Sequence, residues 1–471
     1  MKLINSKILL TSSVILIFSL ILSGSSVGKV EEQILKSSPS GDPFFDAGCT
    51  VVYGADETHA FGGNNEDSQD PKTMVWFLPA ENGDYGRVLF GYEQYIWQGG
   101  MNDQGLFFDA MTGDQMVHVP QGDKKDYPGS LPGKALAACA DVPCVIDLFE
   151  EFHAYDDWVF QFMFGDALGN SVIIEPNKFL EGGAPFQVAT NFYQSRTDID
   201  SCQFCTRYRT ARDLFEKVEI LSVEVMRDIM DAVHLEEDYP TQYTTIYDLK
   251  QGLIYLYHFH NYSDVVIFDL EQELAKGYQA LSLIELFPEN SEFLEWAKPE
   301  LDRVANMRES YTTVELGPIF YLPLLGDYLV PDGFDAPSAY YSIEIEHGTL
   351  VLKMLPDKAW LELEPTSETE FFHASGISQF EITFLTDENG DVSSFNYHYL
   401  DQDYLFQRSS GFAEEAPVEE AVGDPAQWSQ LEQAVQKIGV LMRSNTMKFL
   451  GIVLGLIILQ AVLSYLRSLL V

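Results

Sequence analysis

The chain has 471 residues, 72 of them acidic against 28 basic, for a formal net charge of −44. So acidic a balance excludes a nucleic-acid binder and a protein that docks by charge on an anionic membrane surface. The length leaves room for two domains between the ends.

The first 26 residues read as an export signal. Lys2 and Lys7 precede an apolar run from Ile8 to Leu22, and small residues follow at Ser23–Ser26. An uncleaved anchor helix is the alternative, and either way the bulk of the chain is translocated. Residues 27–48 are rich in Ser, Gly, Lys and Glu, carry no periodic pattern, and read as a propeptide or spacer.

From Cys49 the pattern becomes strand-like. Cys49–Tyr53, a turn at Gly54–Glu57 and His59–Phe61 running into a glycine pair predict a hairpin. Further strands are predicted at Met74–Leu78, Arg87–Gly91, Gly105–Ala110, Trp158–Phe164, Ser171–Glu175 and Phe186–Thr190. Apolar residues at helical spacing predict helices over Val142–His153 and Thr206–Ile220, the latter continuing through Ser222–Leu235. A final strand pair, Gln242–Leu249 and Gly252–His258, turns at Lys250-Gln251. The mixture predicts an α+β layered domain over 49–330. A small all-β module is predicted at 335–405, where Ser342–Glu346 turns at His347-Gly348 and Phe380–Leu385 turns at Asn389-Gly390.

An acidic linker and short helix cover 408–446. They lead into an apolar, uncharged run from Phe449 to Leu466, so 447–471 is expected to be a transmembrane anchor. Lys437, Arg443 and Lys448 precede this run and Arg467 follows it, so the positive-inside preference does not set the topology; the export signal must. The expected location is the cell surface, with the membrane as a partner through the C-terminal helix.

Five cysteines divide into Cys139 with Cys144, Cys202 with Cys205, and Cys49 without a neighbour. In an oxidising compartment four can pair, in a connectivity the sequence leaves open, and the odd one needs its own reason. His258-Phe259-His260 alternates along a strand, which puts both rings on one face without a third ligand. Cys202-x-x-Cys205 has no second pair at zinc spacing. No metal and no cofactor are therefore expected.

Three clusters and two later residues can carry chemistry. Gly48-Cys49-Thr50 starts a strand, and Gly62-Gly63-Asn64-Asn65-Glu66-Asp67 ends its hairpin partner, so Asp67 can return beside Cys49. A carboxylate there would hold a free α-ammonium group, and an N-terminal nucleophile uses that amine as its own base. The bland alternative is a polar loop. The third cluster, Gly99–Leu106, is a glycine-bounded turn entering a strand. Asn191 can aim an amide at a developing oxyanion, or simply end a strand. Arg207 can lower the thiol pKa of Cys49, or be a surface arginine with a carboxylate partner.

Taken together, Cys49-Thr50, Gly63-Asn64-Asn65-Glu66-Asp67, Gly100-Met101-Asn102-x-x-Gly105-Leu106, Thr190-Asn191 and Thr206-Arg207-Tyr208 resemble the choloylglycine hydrolase and penicillin V acylase family. The likeness spans roughly 49–270 and includes Phe160–Asp166, Gly169–Glu175 and Thr241–Thr245. It implies a four-layer αββα sandwich and an N-terminal nucleophile hydrolase of linear amide C–N bonds. It assigns Cys49 as nucleophile, Asp67 as the acid beside the α-amine, and Asn191 and Arg207 as active-site residues. Two positions depart. Asn64 stands where the family has an arginine, which removes a cation near the thiol, and Thr112 stands at the oxyanion-hole position usually held by Asn or Tyr.

The implied partner is a small-molecule amide, with an apolar acyl group suggested by Trp97, Phe107, Phe108, Phe192 and Tyr193. Acyl transfer, dipeptide cleavage and a non-catalytic surface binding protein are the alternatives. Tyr340-Tyr341-Ser342 and Leu363–Phe371 resemble the small β-barrel appendages C-terminal to some serine hydrolases of the β-lactamase type.

Overall fold

The structure, a computed structural model, describes residues 48–409 except 128, 155–156, 203–204, 237–238, 332, 335–339, 356–357, 376–377 and 400–401. The export signal, the spacer through residue 47, and the linker and membrane anchor from 410 to 471 lie outside the described residues. Among the described residues no helix is long and apolar enough to cross a membrane. The chain divides after Ser409, and everything below concerns the unit that ends there.

The first strands are β1 (Thr50–Ala55), β2 (Ala60–Asp67), β3 (Thr73–Leu78), β4 (Arg87–Tyr92), β5 (Ile96–Asn102) and β6 (Leu106–His118). A short parallel pair follows, β7 (Lys125–Asp126) with β8 (Phe152–His153). Then come β9 (Asp157–Asp166), β10 (Asn170–Glu175), β11 (Lys178–Gly183), β12 (Phe186–Thr190), β13 (Thr241–Asp248), β14 (Leu253–His258), β15 (Asn261–Asp269) and β16 (Gln279–Ser282). Six of them form one sheet in the order β12-β1-β2-β13-β14-β15, and eight form a second, β11-β10-β9-β6-β5-β4-β3-β16.

Strand alternation turns these two sheets into layers. Val51 and Tyr53 of β1 point toward the second sheet, where they meet Phe77, Phe90, Phe107 and Met163. Val52, between them, points the other way. It packs with Phe61 and Ile246 against α3 (Thr206–Phe215) and α4 (Val223–Asp231). The outer face of the eight-stranded sheet carries Phe108, Phe162 and Phe164 and is covered by α1 (Leu131–Ala138) and α2 (Val142–Glu151). The result is the four-layer αββα arrangement expected.

Local chemistry sets the element ends. Asp56 Oδ1 accepts from the backbone N–H of Thr58 (2.8 Å) and His59 (2.7 Å), which closes the β1–β2 turn. Ser222 caps α4 by accepting from Val225 N, so the helical pattern of 206–235 is two helices and not one. Each close cysteine pair is a disulfide, Cys139–Cys144 and Cys202–Cys205.

Several elements depart from expectation. β5 runs through Gly99 and Gly100, where the sequence predicts a turn. A Cβ on Gly99 would lie 2.1 Å from Asp109 Oδ2, and one on Gly100 would lie 2.0 Å from the Val88 carbonyl oxygen, so these glycines permit close strand approach. The strand after β13 ends at His258. Phe259 and His260 take left-handed φ of 49° and 46°, so the two histidines do not alternate along one strand, and β15 continues the sheet beyond them. The helical segments after β15, including α5 (Leu270–Leu274), α6 (Leu283–Leu286) and α7 (Ser291–Glu309), also went unpredicted; α7 carries Pro299 and buries just Phe293, Ala297 and Val304.

The β module begins with β17 (Gly326–Leu329), inside the segment assigned to the first domain. It continues through β18 (Tyr340–Glu346), β19 (Thr349–Leu355), β20 (Lys358–Glu362), β21 (Glu364–Pro365), β22 (Glu370–Ala374), β23 (Gln379–Thr386), β24 (Val392–Tyr399) and β25 (Gln402–Arg408). Its sheet order is β20-β19-β18-β17-β25-β24-β23-β22-β21. Trp360 joins it to the sandwich, stacking on Tyr95 at 3.8 Å while its backbone N–H donates to Gln94 O at 3.0 Å.

Candidate active site

Sheet register places the site. Thr50 pairs with Asn65 of β2 on one side and with Thr190 of β12 on the other, while Asp67 pairs with Thr241 of β13. Cys49, one residue before β1, therefore lies between the end of β2 and the turn that carries Asn191. Gln161 fixes that turn, its Nε2 donating to Thr190 O (2.7 Å) and Phe192 O (3.0 Å). The Cys202–Cys205 disulfide packs on Phe192 and leads into α3, whose second residue is Arg207.

Arg207 is the hub. Its Nη1 donates to Gly48 O, to Cys49 O at 2.9 Å and to Thr50 Oγ1 at 2.9 Å, and lies 3.5 Å from Asp67 Oδ2. Its Nη2 donates to Asn191 Oδ1 at 3.1 Å. Asn191 Nδ2 in turn donates to Thr112 Oγ1 at 2.9 Å and to Thr112 O at 3.2 Å. Five of the six sequence-derived candidates thus form one contact chain around the Gly48–Cys49 peptide. Gly48 is required there: its φ is 141°, and a Cβ would lie 2.3 Å from Asn191 Nδ2.

The sixth, Asn64, faces the other way, into the space between the sheets. Its Nδ2 donates to Glu66 Oε2 at 3.4 Å, and its Oδ1 is buried without a hydrogen-bond partner. Glu66 shares that face of β2, accepts from Tyr92 Oη at 2.7 Å and accepts from Cys49 Sγ at 3.4 Å. Asp109 of β6 lies on the facing sheet, 1 % exposed, with its Oδ1 unpartnered.

These neighbours decide the electrostatics. Cys49 is the free cysteine, and burial pushes its thiol well above the usual range. Glu66, Asp67 and Asp109 add to the rise by repelling a thiolate, and a backbone hydrogen bond from Asp67 opposes it. Arg207 directs its guanidinium to backbone carbonyls, Thr50, Asp67 and Asn191. Burial also pushes Asp67 up to about 8, outweighing Arg207 and the Thr241 hydroxyl that donates to it. Asp109 is raised well above its ordinary value, by burial first and by Glu66 second.

The aromatic residues suggested for an acyl pocket are core. Trp97 and Phe108 lie under α1 and α2, Phe107 between the sheets, and Phe192 against the disulfide. Tyr193 is buried, with its hydroxyl donating to Trp158 O at 3.3 Å. They do not line one cavity, so they give no ground for an apolar acyl group. The sequence pattern does not single out Glu66, Tyr92 or Asp109 as site residues. Glu66 carried one usable signal, because in a strand it must share a face with Asn64. Among the described residues no group of three or more His, Cys, Asp or Glu side chains is arranged to hold a metal ion.

No family model matches the sequence, and no curated protein matches it. Solved structures similar to it include penicillin V acylase from Agrobacterium tumefaciens, at 17% identity over 50% of this chain and 91% of that chain, with a TM-score of 0.40. A variant of conjugated bile acid hydrolase from Clostridium perfringens matches at 15% identity over 52% of this chain and 99% of that one, with a TM-score of 0.43. The Caenorhabditis elegans ortholog of N-acylethanolamine-hydrolyzing acid amidase matches at 14% identity over 43% and 93%, with a TM-score of 0.32. This chain is similar to an acylase, a bile acid hydrolase and an acid amidase. The similarity covers about half of it.

Proposed function

We propose that this protein hydrolyses a linear amide C–N bond of a small molecule, with Cys49 as an N-terminal nucleophile freed by cleavage between Gly48 and Cys49. One observation carries the reading. Arg207 donates to the backbone carbonyl of Cys49, the one unpaired cysteine among the described residues, and the same guanidinium gathers Asp67 and Asn191 from two other elements. Cleavage would release an α-amine beside Asp67, and a positive charge there would pull down the thiol that burial and three carboxylates now push up.

In this mechanism the α-amine takes the thiol proton as sulfur attacks the substrate carbonyl. Asn191 Nδ2, now donating to Thr112, and backbone N–H groups stabilise the oxyanion. The departing amine receives the proton, leaving an acyl-thioester on Cys49. Water then gives a proton to the same α-amine, attacks the thioester and restores the thiol. Transfer to an amine, or cleavage of a dipeptide, would pass through the same thioester. An acyl-amide panel assayed with mature protein tests the proposal, with N-terminal sequencing of the same sample. Full activity in Cys49→Ala, or in protein still carrying residues before Cys49, would overturn it.

A second reading, a surface binding protein without turnover, is favoured by Asn64 in place of a cation and by the raised thiol pKa. It requires an uncut chain that binds acyl amides and leaves them intact. Export and anchoring at the cell surface through 447–471 complete the proposal on sequence grounds. Loss of surface labelling, or release of the full chain by alkaline carbonate, would count against that part.

A further inference from the structure

In an uncut chain the nitrogen of Cys49 is an amide and cannot accept a proton, so the first cleavage needs another base. Cys49 Sγ points at one, donating to Glu66 Oε2 at 3.4 Å. Tyr92 Oη donates to Glu66 Oε1 at 2.7 Å, and Asn64 Nδ2 donates to Oε2 at 3.4 Å. Three donors thus converge on this one carboxylate. On the other side of the same peptide, Arg207 Nη1 donates to Gly48 O, where negative charge would develop during attack. Base, thiol, carbonyl and cation thus stand in sequence across the Gly48–Cys49 bond.

We infer that Glu66 is the proton acceptor for self-cleavage at Gly48–Cys49, a role separate from turnover, in which the freed amine takes over. The inference rests on the reading of Cys49 as the nucleophile. Glu66 takes the Sγ proton, and sulfur adds to the Gly48 carbonyl carbon while Arg207 faces the oxyanion. The C–N bond breaks, the departing nitrogen regains a proton from Glu66, and the Gly48 acyl group is left as a thioester on Sγ. One water hydrolyses that thioester, yielding a Gly48 carboxylate and a Cys49 residue with free thiol and free amine. No oxidant, metal or second protein is consumed.

The test separates the two rates in one residue. Glu66→Gln and Glu66→Asp are made in the full chain and in a form that starts Met-Cys49, whose methionine is removed by an aminopeptidase. Cleavage of the full chain is followed by mass spectrometry, amide hydrolysis by the pre-cut form is assayed separately, and melting curves are recorded for all. In Glu66→Gln, cleavage should fall at least about 100-fold and pre-cut turnover no more than about tenfold, with Glu66→Asp recovering part of the cleavage. Wild-type cleavage in Glu66→Gln would overturn the inference. So would an equal loss of both rates in folded protein, or an Asp variant no better than Gln. A wild-type full chain that stays intact would instead sink the nucleophile reading itself.

Discussion

The interior of the sandwich near Cys49 and the interior of the β module are both built from antiparallel strands, yet they treat polar groups differently. The module core is aromatic and aliphatic, with Phe395 packed against Tyr328, Phe384 and Phe406. Its buried His373 is paired on both ring nitrogens, with Glu362 O at 2.8 Å and Ser375 Oγ at 2.9 Å. Between the sandwich sheets, Asn64 Oδ1, Asp109 Oδ1 and Tyr243 Oη are buried with no hydrogen-bond partner among the described residues. Each such atom costs roughly 1–3 kcal/mol. The module's own unpartnered atoms, Trp360 Nε1 and Ser378 Oγ, lie outside its aromatic core, and that core is organised for stability. The sandwich keeps groups that oppose stability beside its one free thiol, as functional sites do.

The largest expected effect divides the two regions outright. Cys49→Ala should abolish amide hydrolysis, by about 1000-fold or more, while leaving the melting temperature close to wild type. Phe395→Ala should do the reverse, costing about 3–5 kcal/mol in denaturant melts with the turnover of folded protein retained. If Phe395→Ala instead lost turnover in folded protein, the module would be part of the active site and the division would fail.

Arg207→Gln keeps a neutral donor but removes the charge at the Gly48–Cys49 peptide. A loss of roughly 100-fold in kcat is expected, against a small change in stability. A pH effect should belong to the sandwich. Asp67, pushed up to about 8, and Asp70, pushed up to about 7 by burial, hold protons in the fold that the unfolded chain has lost. Their contribution is therefore complete below about pH 4 and is lost as pH rises through 7 to 8. Melts between pH 5 and pH 8 should show this decline, flattened in Asp67→Asn; an identical slope in that variant would refute the assignment. Smallest of all, Asp109→Asn should stabilise near pH 8, by on the order of 1 kcal/mol, because the unfolded state no longer gains from ionising that carboxyl.

Sequence alone determined the alternation that splits β1 into Val51 and Tyr53 on one face and Val52 on the other, because strand period is a local property. It also marked the hairpin turns and helices over Val142–His153 and Thr206–Ile220, which end at Glu151 and Phe215 in the structure. The unusual character of Cys49 was legible too, from its lack of a neighbour and from the order of motifs around it. Other features depended on contacts between distant segments. Gly99 and Gly100 look like a turn until Asp109 and the Val88 carbonyl are seen to need the space a Cβ would fill. Arg207 can be placed near the thiol from sequence, but its bonds to the Gly48 and Cys49 carbonyls depend on where α3 packs. The meeting of Glu66, Tyr92 and Asp109 around Cys49 was decided by the stacking of one sheet on the other, and face-to-face packing leaves no periodic trace in either strand.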